Sequence, residues 1–284
     1  MSAEPSATEI GQGAADFERR FGGLRRLYGP GGAQRIFDAH VIVVGIGGVG
    51  SWAAEALARS GVGRITLIDL DHIAESNTNR QIHALEGSYG QSKVEVMRAR
   101  IAAIHPGCHV LAIDDFVTPD NWPSLLAHAR AQQGMQGPLA VIDACDQMAA
   151  KITLAAWSRD EHVRFVTVGA AGGKRRGEQV EIADIACATH DPLLAQLRQR
   201  LRKAHGAPRQ GAIGVTAVFS REAVRPPDAA CMAAGMPDGS LNCHGYGSSV
   251  AVTATFGLCA AGWVMDAIAS PERLTRPERL KLLL

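Results

Sequence analysis

The 284-residue sequence has few of the features that mark the common nucleic-acid-binding and metal-binding modules. Aromatic residues make up only 5% of the chain, which argues against a base-stacking RNA platform such as an RRM or an OB-fold. The formal net charge is +1, so any nucleic-acid surface must be a local patch. The 6 cysteines include no C-x-x-C pair, the usual spacing of a four-cysteine zinc site. We therefore expect reduced, mostly buried thiols in a cytoplasmic protein.

We expect neither a signal peptide nor a membrane anchor at the N-terminus of this sequence. Residues 1–16 are polar and lack the apolar core of a signal peptide, so we expect a flexible tail there, and a second tail over residues 271–284. No charged residue occurs from Gly245 to Met265, a stretch about as long as a membrane span. It contains many small and hydroxyl residues and few large aliphatics. We interpret it as a buried helix or a subunit interface and predict no membrane association.

Strand-like and helical patterns alternate from Val41 onward. Continuous β-branched runs predict strands covered on both faces, and periodic apolar residues predict helices between them. The predicted strands are residues 40–44, 64–69, 109–113, 139–143, 165–168, 179–185 and 215–219. The predicted helices are residues 51–60, 91–105, 148–158, 192–203 and 249–268. A further helix is predicted to have Thr118 as its N-cap and Pro119 as its first residue.

This alternation predicts an α/β fold with a Rossmann-like, doubly wound, mainly parallel sheet and a C-terminal elaboration. We expect residues 17–270 to form a single ATP-binding catalytic domain. Within it, residues 175–245 depart from the regular alternation and are interpreted as a substrate-side elaboration.

A glycine-rich turn, Gly45-Ile-Gly47-Gly48-Val-Gly50, lies directly between a predicted strand and a predicted helix. In this context, G-x-G-x-x-G permits a tight turn, close approach of a phosphate to the backbone, and anion binding at the helix N-terminus. The turn therefore predicts nucleotide binding, but it does not distinguish NAD from ATP. Asp69, at the end of the next strand, is placed to bind a ribose in either case.

The polar residues after Asp69 favour a nucleotidyl-transfer site. An NAD-dependent oxidoreductase does not need an Arg and a Lys there, whereas a site that binds a triphosphate and releases pyrophosphate needs cations. Asp143 and Asp146 lie at the carboxyl end of the predicted strand 139–143, where open α/β sheets bind ligands, and are candidates to hold Mg²⁺. We therefore predict ATP with Mg²⁺ as the cofactor and keep the oxidoreductase as a minor alternative. The polar residues after Asp69 that support this prediction are Asp71, Asn77, Arg80 and Lys93.

These residues resemble the ubiquitin-activating-like (ThiF/MoeB/HesA) superfamily, whose pattern is G-x-G-G-x-G-S, D-x-D-x(5)-N-x-x-R-Q, a later Lys and D-x-x-D. The resemblance implies that Asp69 binds the ribose, that Asn77, Arg80 and Lys93 hold the triphosphate, and that Asp146 holds Mg²⁺ or the nucleotide. It makes Arg80, Lys93 and Asp146 candidate catalytic residues. The predicted nucleotide-binding set is Gly45, Gly47, Gly48, Gly50, Asp69, Asp71, Asn77, Arg80, Lys93 and Asp146.

Within the superfamily, the sequence most resembles the tRNA-modifying branch. The matching segments are Arg20–Gly23, Arg26–Gly29, Thr78–Leu85, Asp114–Asn121, Gly169–Gly173, Asp191–Leu193 and Val252–Gly257. The resemblance implies ATP-dependent cyclisation, by loss of water, of the threonylcarbamoyl group of N6-threonylcarbamoyladenosine in tRNA through an acyl-adenylate. The alternative is adenylylation of the C-terminal glycine of a ubiquitin-like sulfur carrier. Activators of such carriers commonly have two C-x-x-C pairs, which this chain lacks.

The resemblance also implies a homodimer in which an arginine of the partner subunit reaches the triphosphate, with Arg20 and Arg26 as candidates. It suggests association with a cysteine desulfurase or another sulfur acceptor. Cys231 and Cys243 could be read as thioester or persulfide sites, but ring closure requires neither, and we expect both to be structural.

A tRNA partner requires a basic surface. Arg198 and Arg202 are four residues apart on a predicted helix and share a face, and Arg200 and Arg209 lie nearby. The predicted RNA-binding residues are Lys174, Arg175, Arg176, Arg198, Arg202 and Lys203.

Overall fold

The computed structural model describes residues 16–133, 137–226 and 246–270. These residues contain one 7-stranded sheet. Its strands are β1 (His40–Val44), β2 (Arg64–Ile68), β3 (His109–Ile113), β4 (Leu139–Asp143), β5 (Arg164–Val168), β6 (Val180–Asp184) and β7 (Thr216–Ser220). Their order is β3-β2-β1-β4-β5-β7-β6. All pairings are parallel except that of β6 with β7, so the predicted mainly parallel α/β sheet is confirmed.

Helices follow most strands. In the described residues they are α1 (Phe17–Phe21), α2 (Gly23–Phe37), α3 (Gly50–Arg59), α4 (Lys93–Ile104), α5 (Trp122–Gln133), α6 (Met148–Asp160), α7 (Pro192–Ala204) and α8 (Val250–Ala269). Short 3₁₀ turns cover Glu75–Asn77, Gly177–Gln179 and Ile185–Cys187.

Two apolar layers cover the two faces of the sheet. All five residues of β1 are buried, and alternate side chains point to opposite faces. Val41 and Val43 pack with residues of α2, α3, α4 and α8. Ile42 and Val44 pack with residues of α5, α6 and α7. The continuous apolar run in the sequence therefore corresponds to a strand that is buried on both faces.

The sheet has a switch point between β1 and β4. The chain leaves β1 for α3 on one face, whereas it leaves the neighbouring β4 for α6 on the other face. Opposite turns at adjacent carboxyl ends open a crevice there, which is where ligands bind in open α/β sheets. The fold thus brings the glycine turn and the loop after β4 to a common opening.

Helix α8 belongs to the core. By length and composition it could cross a membrane, yet 50% of its apolar window is buried inside the protein. It packs against α3, α2 and β5, and side chains such as Phe256 and Val264 are fully buried. The interpretation of this stretch as a buried helix is confirmed for its inner face.

Two local features differ from the sequence-based prediction. The helix predicted to begin at Pro119 begins at Trp122, and that prediction was wrong by three residues. Asn121 Oδ1 accepts the N–H of Thr118 at 2.7 Å, and Thr118 Oγ1 accepts the N–H of Asn121 at 3.1 Å. These reciprocal bonds have the pattern of a capping box, and the N–H of Trp122 donates to the carbonyl of Thr118 at 3.1 Å, so Thr118 caps this segment as predicted. Regular helix begins only at Trp122 because Pro123 lacks the N–H that would bond the carbonyl of Pro119. No prediction covered α1 and α2; α2 is kinked at Gly29-Pro30, where helix propensity is poor.

Candidate functional site

The glycine turn has a geometry that only glycine satisfies at two positions. Gly45 has φ +87°, and a Cβ there would lie 2.7 Å from the backbone nitrogen of Cys145. A Cβ on Gly50 would lie 1.7 Å from the carbonyl oxygen of Gly45. The first turn of α3 begins at Gly50, so the N-terminus of this helix, with its partial positive charge, lies beside the loop. The turn therefore presents backbone donors at the crevice, an arrangement suited to phosphate.

A cleft of about 370 Å³ opens above this turn. Most of the predicted nucleotide-binding residues line it, and they come from five separate places in the chain. Those lining it are Gly45, Gly47, Gly48, Asp69, Asp71, Arg80, Lys93 and Asp146. Gly50 and Asn77 are not among its lining residues.

Asp69 lies at the rim of the glycine turn. Its carboxylate accepts the N–H groups of Ile46 and Asp71, the second at 2.8 Å. Burial raises the pKa of this carboxyl, and the charge of Lys93 opposes that rise. The two backbone bonds hold the carboxylate in one orientation, where it could accept hydrogen bonds from the hydroxyls of a sugar.

Lys93, the first residue of α4, supplies one cation of the cleft. It is buried, and its ammonium donates to Asp71 Oδ2 at 2.7 Å. The Asp71 side chain is 72% exposed, so this pair opens to solvent on one side. An anionic ligand entering from that side could contact the ammonium with little rearrangement.

Arg80 supplies the second cation. Its Nη1 donates to the carbonyl of Ser76 at 2.6 Å and to Asn79 Oδ1 at 2.9 Å. Trp52 Nε1 donates to the carbonyl of Arg80 at 2.9 Å, which fixes the backbone below the side chain. Among the ion pairs of the described residues, none involves Arg80. A buried guanidinium without an acidic partner at a cleft wall is suited to binding an anionic ligand.

Asn77 has a different place from the one predicted. It is buried, and its Oδ1 accepts the N–H of Ala74 at 3.1 Å within the turn Glu75–Asn77. This side chain shapes the turn that carries Arg80, and it lies outside the cleft wall. The structure therefore supports a positioning role for Asn77 and does not bring it to the phosphate-facing surface.

The two acids at the carboxyl end of β4, Asp143 and Asp146, differ in their burial. Asp146 is exposed at the cleft wall, whereas Asp143 is fully buried. Asp143 Oδ2 lies 3.0 Å from Lys151 Nζ and accepts the hydroxyl of Thr167 at 2.6 Å. The expectation that Asp143 holds Mg²⁺ is therefore wrong, because Lys151 and Thr167 already occupy that carboxylate.

No cluster of three or more His, Cys, Asp or Glu side chains suited to a metal occurs in the described ranges. Asp146 could supply one hard oxygen ligand of the kind Mg²⁺ prefers. Such an ion would need its other ligands from water and from the phosphates of a nucleotide. The site thus fits a metal that arrives with its nucleotide.

Several cleft residues were missed from sequence. Gln81 lines the cleft, and its Oε1 is buried without a hydrogen-bond partner. Asp115 and Phe116 also line it, and Phe116 is 42% exposed there. Both belong to the Asp114–Asn121 motif, which could have singled them out. Leu193 and Thr253 reach the cleft from distant segments. Both lie in matching segments, Asp191–Leu193 and Val252–Gly257, but those segments do not show from sequence that the two residues meet at the cleft.

Cys145 also lines the cleft. Burial and the nearby Asp143 raise the pKa of its thiol, which therefore stays protonated near neutral pH. Cys231 and Cys243 lie outside the described residues.

The two N-terminal arginines lie away from the cleft of their own chain. Arg20 Nη1 donates to the carbonyl of Ile104 at 2.6 Å. Ile104 ends α4 just before β3 begins, so Arg20 lies at the amino ends of the strands, on the far side from the cleft. Arg26 does not line the cleft either. Neither arginine therefore lines the cleft of its own chain, and both stay candidates to reach the cleft of a partner subunit.

The predicted RNA-binding residues divide into buried and exposed groups. Lys174 is buried, and its ammonium donates to the carbonyls of His190, Ser220 and Glu222. Its assignment as an RNA contact is wrong, because all three donors of the ammonium are engaged by backbone. Exposed or partly exposed are Arg175, Arg176, Arg198, Arg202 and Lys203.

Comparisons with known proteins show the family to which the chain belongs. Residues 22–281 match the model of the ThiF family. The chain is 46% identical to the Escherichia coli tRNA threonylcarbamoyladenosine dehydratase over 252 residues, 86% of this chain and 91% of that protein. It is 41% identical to the Haemophilus influenzae enzyme of the same name over 88% of this chain and 94% of that protein. The crystal structure of the Escherichia coli enzyme with ATP superposes with a TM-score of 0.78, covering 91% of this chain and 97% of that chain at 42% identity.

Proposed function

Because the chain belongs to the ThiF family, we propose that it is an ATP-dependent enzyme that dehydrates the threonylcarbamoyl group of N6-threonylcarbamoyladenosine in tRNA. The cleft carries this proposal: a phosphate-binding turn, an oriented carboxylate at Asp69, and the cations Arg80 and Lys93 converge on one opening. Two relatives named tRNA threonylcarbamoyladenosine dehydratase match 86% and 88% of this chain, and the Escherichia coli enzyme has been crystallised with ATP.

The reaction needs activation of a carboxylate, because hydroxide is a poor leaving group. An oxygen of the threonyl carboxylate attacks the α-phosphorus of ATP, and the bond to pyrophosphate breaks. The nitrogen of the threonylcarbamoyl group then attacks the acyl carbon and loses its proton, and AMP leaves with the former carboxylate oxygen. The side chain has lost one water and become a ring.

In this proposal the protein aligns reactants and stabilises charge, and it needs no covalent nucleophile. Asp69 orients the nucleotide through its ribose. Arg80 and Lys93 stabilise the charge that develops on the α-phosphate and on departing pyrophosphate. Cys145, with its protonated thiol, takes no part in this chemistry.

Asp146 would hold Mg²⁺ when the nucleotide is bound, since it is the exposed acid of the loop after β4. The ion would neutralise charge on the phosphates. The protein's own contribution at this wall is the carboxylate and the backbone that supports it.

The proposed enzyme acts as a homodimer in which Arg20 or Arg26 reaches the partner's cleft. The far position of Arg20 in its own chain supports this arrangement. Association with a cysteine desulfurase or another sulfur acceptor, and a cytoplasmic location, stay predictions.

The decisive experiment incubates the pure protein with ATP, Mg²⁺ and tRNA that carries threonylcarbamoyladenosine. Nucleoside mass spectrometry should show loss of one water from that nucleoside, with AMP and pyrophosphate formed in equal amounts. The same tRNA without the modification should give neither product. Pyrophosphate release that depends on a small carrier protein, and not on tRNA, would favour the sulfur-carrier alternative and refute the proposal.

A further inference from the structure

A second cavity, of about 610 Å³, lies on α7, away from the cleft. We call it the α7 groove; its lining residues are Ala195, Arg198, Gln199, Arg202, Lys203 and Arg209. Four of these six side chains are cationic, and none is acidic. Helix α7 itself, PLLAQLRQRLRKA, contains no acid. The groove is therefore a concentrated positive surface on a molecule whose formal net charge is only +1.

The arginines of the groove are held in place without being neutralised. Arg198 Nη1 donates to the carbonyls of Ile185 at 3.0 Å and Ala188 at 2.7 Å. Arg202 Nε donates to the carbonyl of Pro208 at 3.1 Å. In the part of the chain that the structure describes, no ion pair involves a groove cation. Backbone carbonyls orient these guanidinium groups and leave their charge for an external anion.

Helix α7 is seated rigidly against the sheet. Leu194, Leu197 and Leu201 are fully buried along one face and pack with the layer formed by α5 and α6. The opposite face carries the basic side chains. The apolar face therefore fixes the position of the groove relative to the sheet.

The start of α7 is tied directly to the cleft. Asp191 is buried; its Oδ2 accepts the N–H of Ala170 at 2.9 Å, and its Oδ1 accepts the N–H of Leu194 at 3.0 Å. Ala170 and Leu193 both line the cleft. One carboxylate thus joins a cleft loop to the N-terminus of the helix that carries the groove.

The helix sets the distance between groove and cleft. Residues 198–203 lie five to ten positions beyond Leu193, which corresponds to about 8–15 Å along the helix axis. A stacked nucleic-acid strand advances about 3.4 Å per nucleotide, so this separation equals about two to four nucleotides.

We propose that the α7 groove binds the phosphate backbone of the substrate RNA about two to four nucleotides from the nucleoside that reacts in the cleft. This inference rests on the proposed function and deepens it, because it states which part of the RNA the enzyme holds. A regular row of phosphates suits the groove, whose fixed and exposed cations are spaced along a helix. An acidic protein surface is the other class of partner, and the test separates the two.

The test removes two groove cations, Lys203 and Arg209, whose side chains form no hydrogen bond or ion pair within the described ranges. Lys203 and Arg209 are both exposed, so the variant Lys203→Gln/Arg209→Gln should fold normally. The control is Arg19→Gln/Arg98→Gln, which removes two exposed cations elsewhere, one of them the partner of Glu95 in an exposed ion pair. Both variants are assayed with ATP, Mg²⁺ and tRNA that carries threonylcarbamoyladenosine, at several salt concentrations.

We expect the groove variant to raise the KM for tRNA roughly tenfold with little change in kcat and no change in the KM for ATP. The slope of log affinity against log salt should fall by about 2. The control should match the wild type in all these values. The inference would be overturned if the groove variant bound tRNA as tightly as the wild type and with the same salt dependence. This holds even if the variant has lost binding to an acidic protein, because that result would assign the groove to a protein partner.

A series of shortened RNAs tests the distance. Wild type and groove variant should act equally on a trinucleotide centred on the modified nucleoside, because it is too short to reach the groove. They should diverge once about four nucleotides flank the nucleoside on each side. Divergence already on the trinucleotide, or at no length, would overturn the inference. If the wild type acts on none of these RNAs nor on intact tRNA, the proposed function itself has failed.

Discussion

Two lysine–aspartate pairs lie at neighbouring parts of the same sheet edge, and they differ in their access to solvent. Lys93 and Asp71 lie beside the glycine turn, with the Asp71 side chain 72% exposed. Lys151 and Asp143 lie below the loop after β4, with both side chains 0% exposed. The first pair borders the cleft and can exchange its partner for a ligand. The second pair is fully buried, so it cannot contact a ligand and can only stabilise the strands that support the cleft.

The difference shows that residue type does not decide function at this edge. Lys151 also donates to Thr167 Oγ1 at 3.1 Å and to the carbonyl of Val168 at 2.8 Å, so it links the carboxyl ends of β4 and β5. The loops that continue from these strands, with Asp146 and Ala170, form one wall of the cleft. The buried pair thus holds the scaffold on which the cleft wall is built.

The largest effect is expected from breaking the buried pair. Lys151→Met leaves the Asp143 carboxylate buried without its counter-charge, and this should lower the free energy of unfolding by about 3–5 kcal/mol. Urea denaturation measures the change. Since a well-packed apolar pair is often no less stable than a buried ion pair, Lys151→Met/Asp143→Leu should recover most of the loss. If Lys151→Met lowered the free energy of unfolding by less than about 1 kcal/mol, the Lys151–Asp143 pair would not stabilise the strands as described.

A smaller free-energy effect is expected from removing a cation that lines the cleft. This effect should appear in the rate of the reaction and not in the stability of the fold. Arg80→Ala or Lys93→Ala should lower turnover by on the order of 10²–10³, because each removes a charge that faces the reacting phosphates. Arg98→Ala, which removes an exposed cation from the same helix as Lys93, is the control and should keep normal turnover. Steady-state release of AMP measures the effect. Near-normal activity in either cleft variant would contradict the assignment.

The smallest effect is expected in the pH dependence of the free energy of unfolding, to which the charge of Lys93 contributes. Burial, with a contribution from the charges of Lys93 and Arg100, lowers the pKa of His83 to about 4. Burial likewise lowers the pKa of His40 to about 4. Because the unfolded chain binds these protons more readily, the stability that comes from the neutral rings is present above pH ~6.5 and is lost as the pH falls towards ~4.

Lys93→Met should make this loss shallower, because it removes a charge that disfavours protonation of His83. Arg98→Met, on the solvent side of the same helix, should leave the slope unchanged. Urea denaturation between pH 7 and pH 4.5 gives the slopes. A steeper slope in Lys93→Met than in the wild type would refute the explanation.

Much of the fold could be predicted because its signals are local. β1, β3 and β4 have the predicted bounds, since a continuous β-branched run between turn residues has few other solutions. Less could be predicted where prolines and glycines interrupt the helical pattern. Regular helix in α5 begins only at Trp122, because Pro123 lacks the N–H that would bond the carbonyl of Pro119. The glycines and proline within α2 give that segment poor helix propensity, so α2 could not be predicted.

The amino-acid sequence by itself determined the alternation of strand and helix, the glycine turn and the polar residues that follow Asp69, because each depends on neighbours within a few positions. Only the tertiary structure decided which of those side chains face the cleft. It turned Asn77 inward to the turn that carries Arg80, enclosed Asp143 with Lys151, enclosed Lys174 among three carbonyls, and brought Leu193 and Thr253 to the cleft from distant segments. The physical reason is burial: whether a polar group meets a ligand or a buried partner depends on which elements pack over it, and contacts between residues far apart in the chain set that packing.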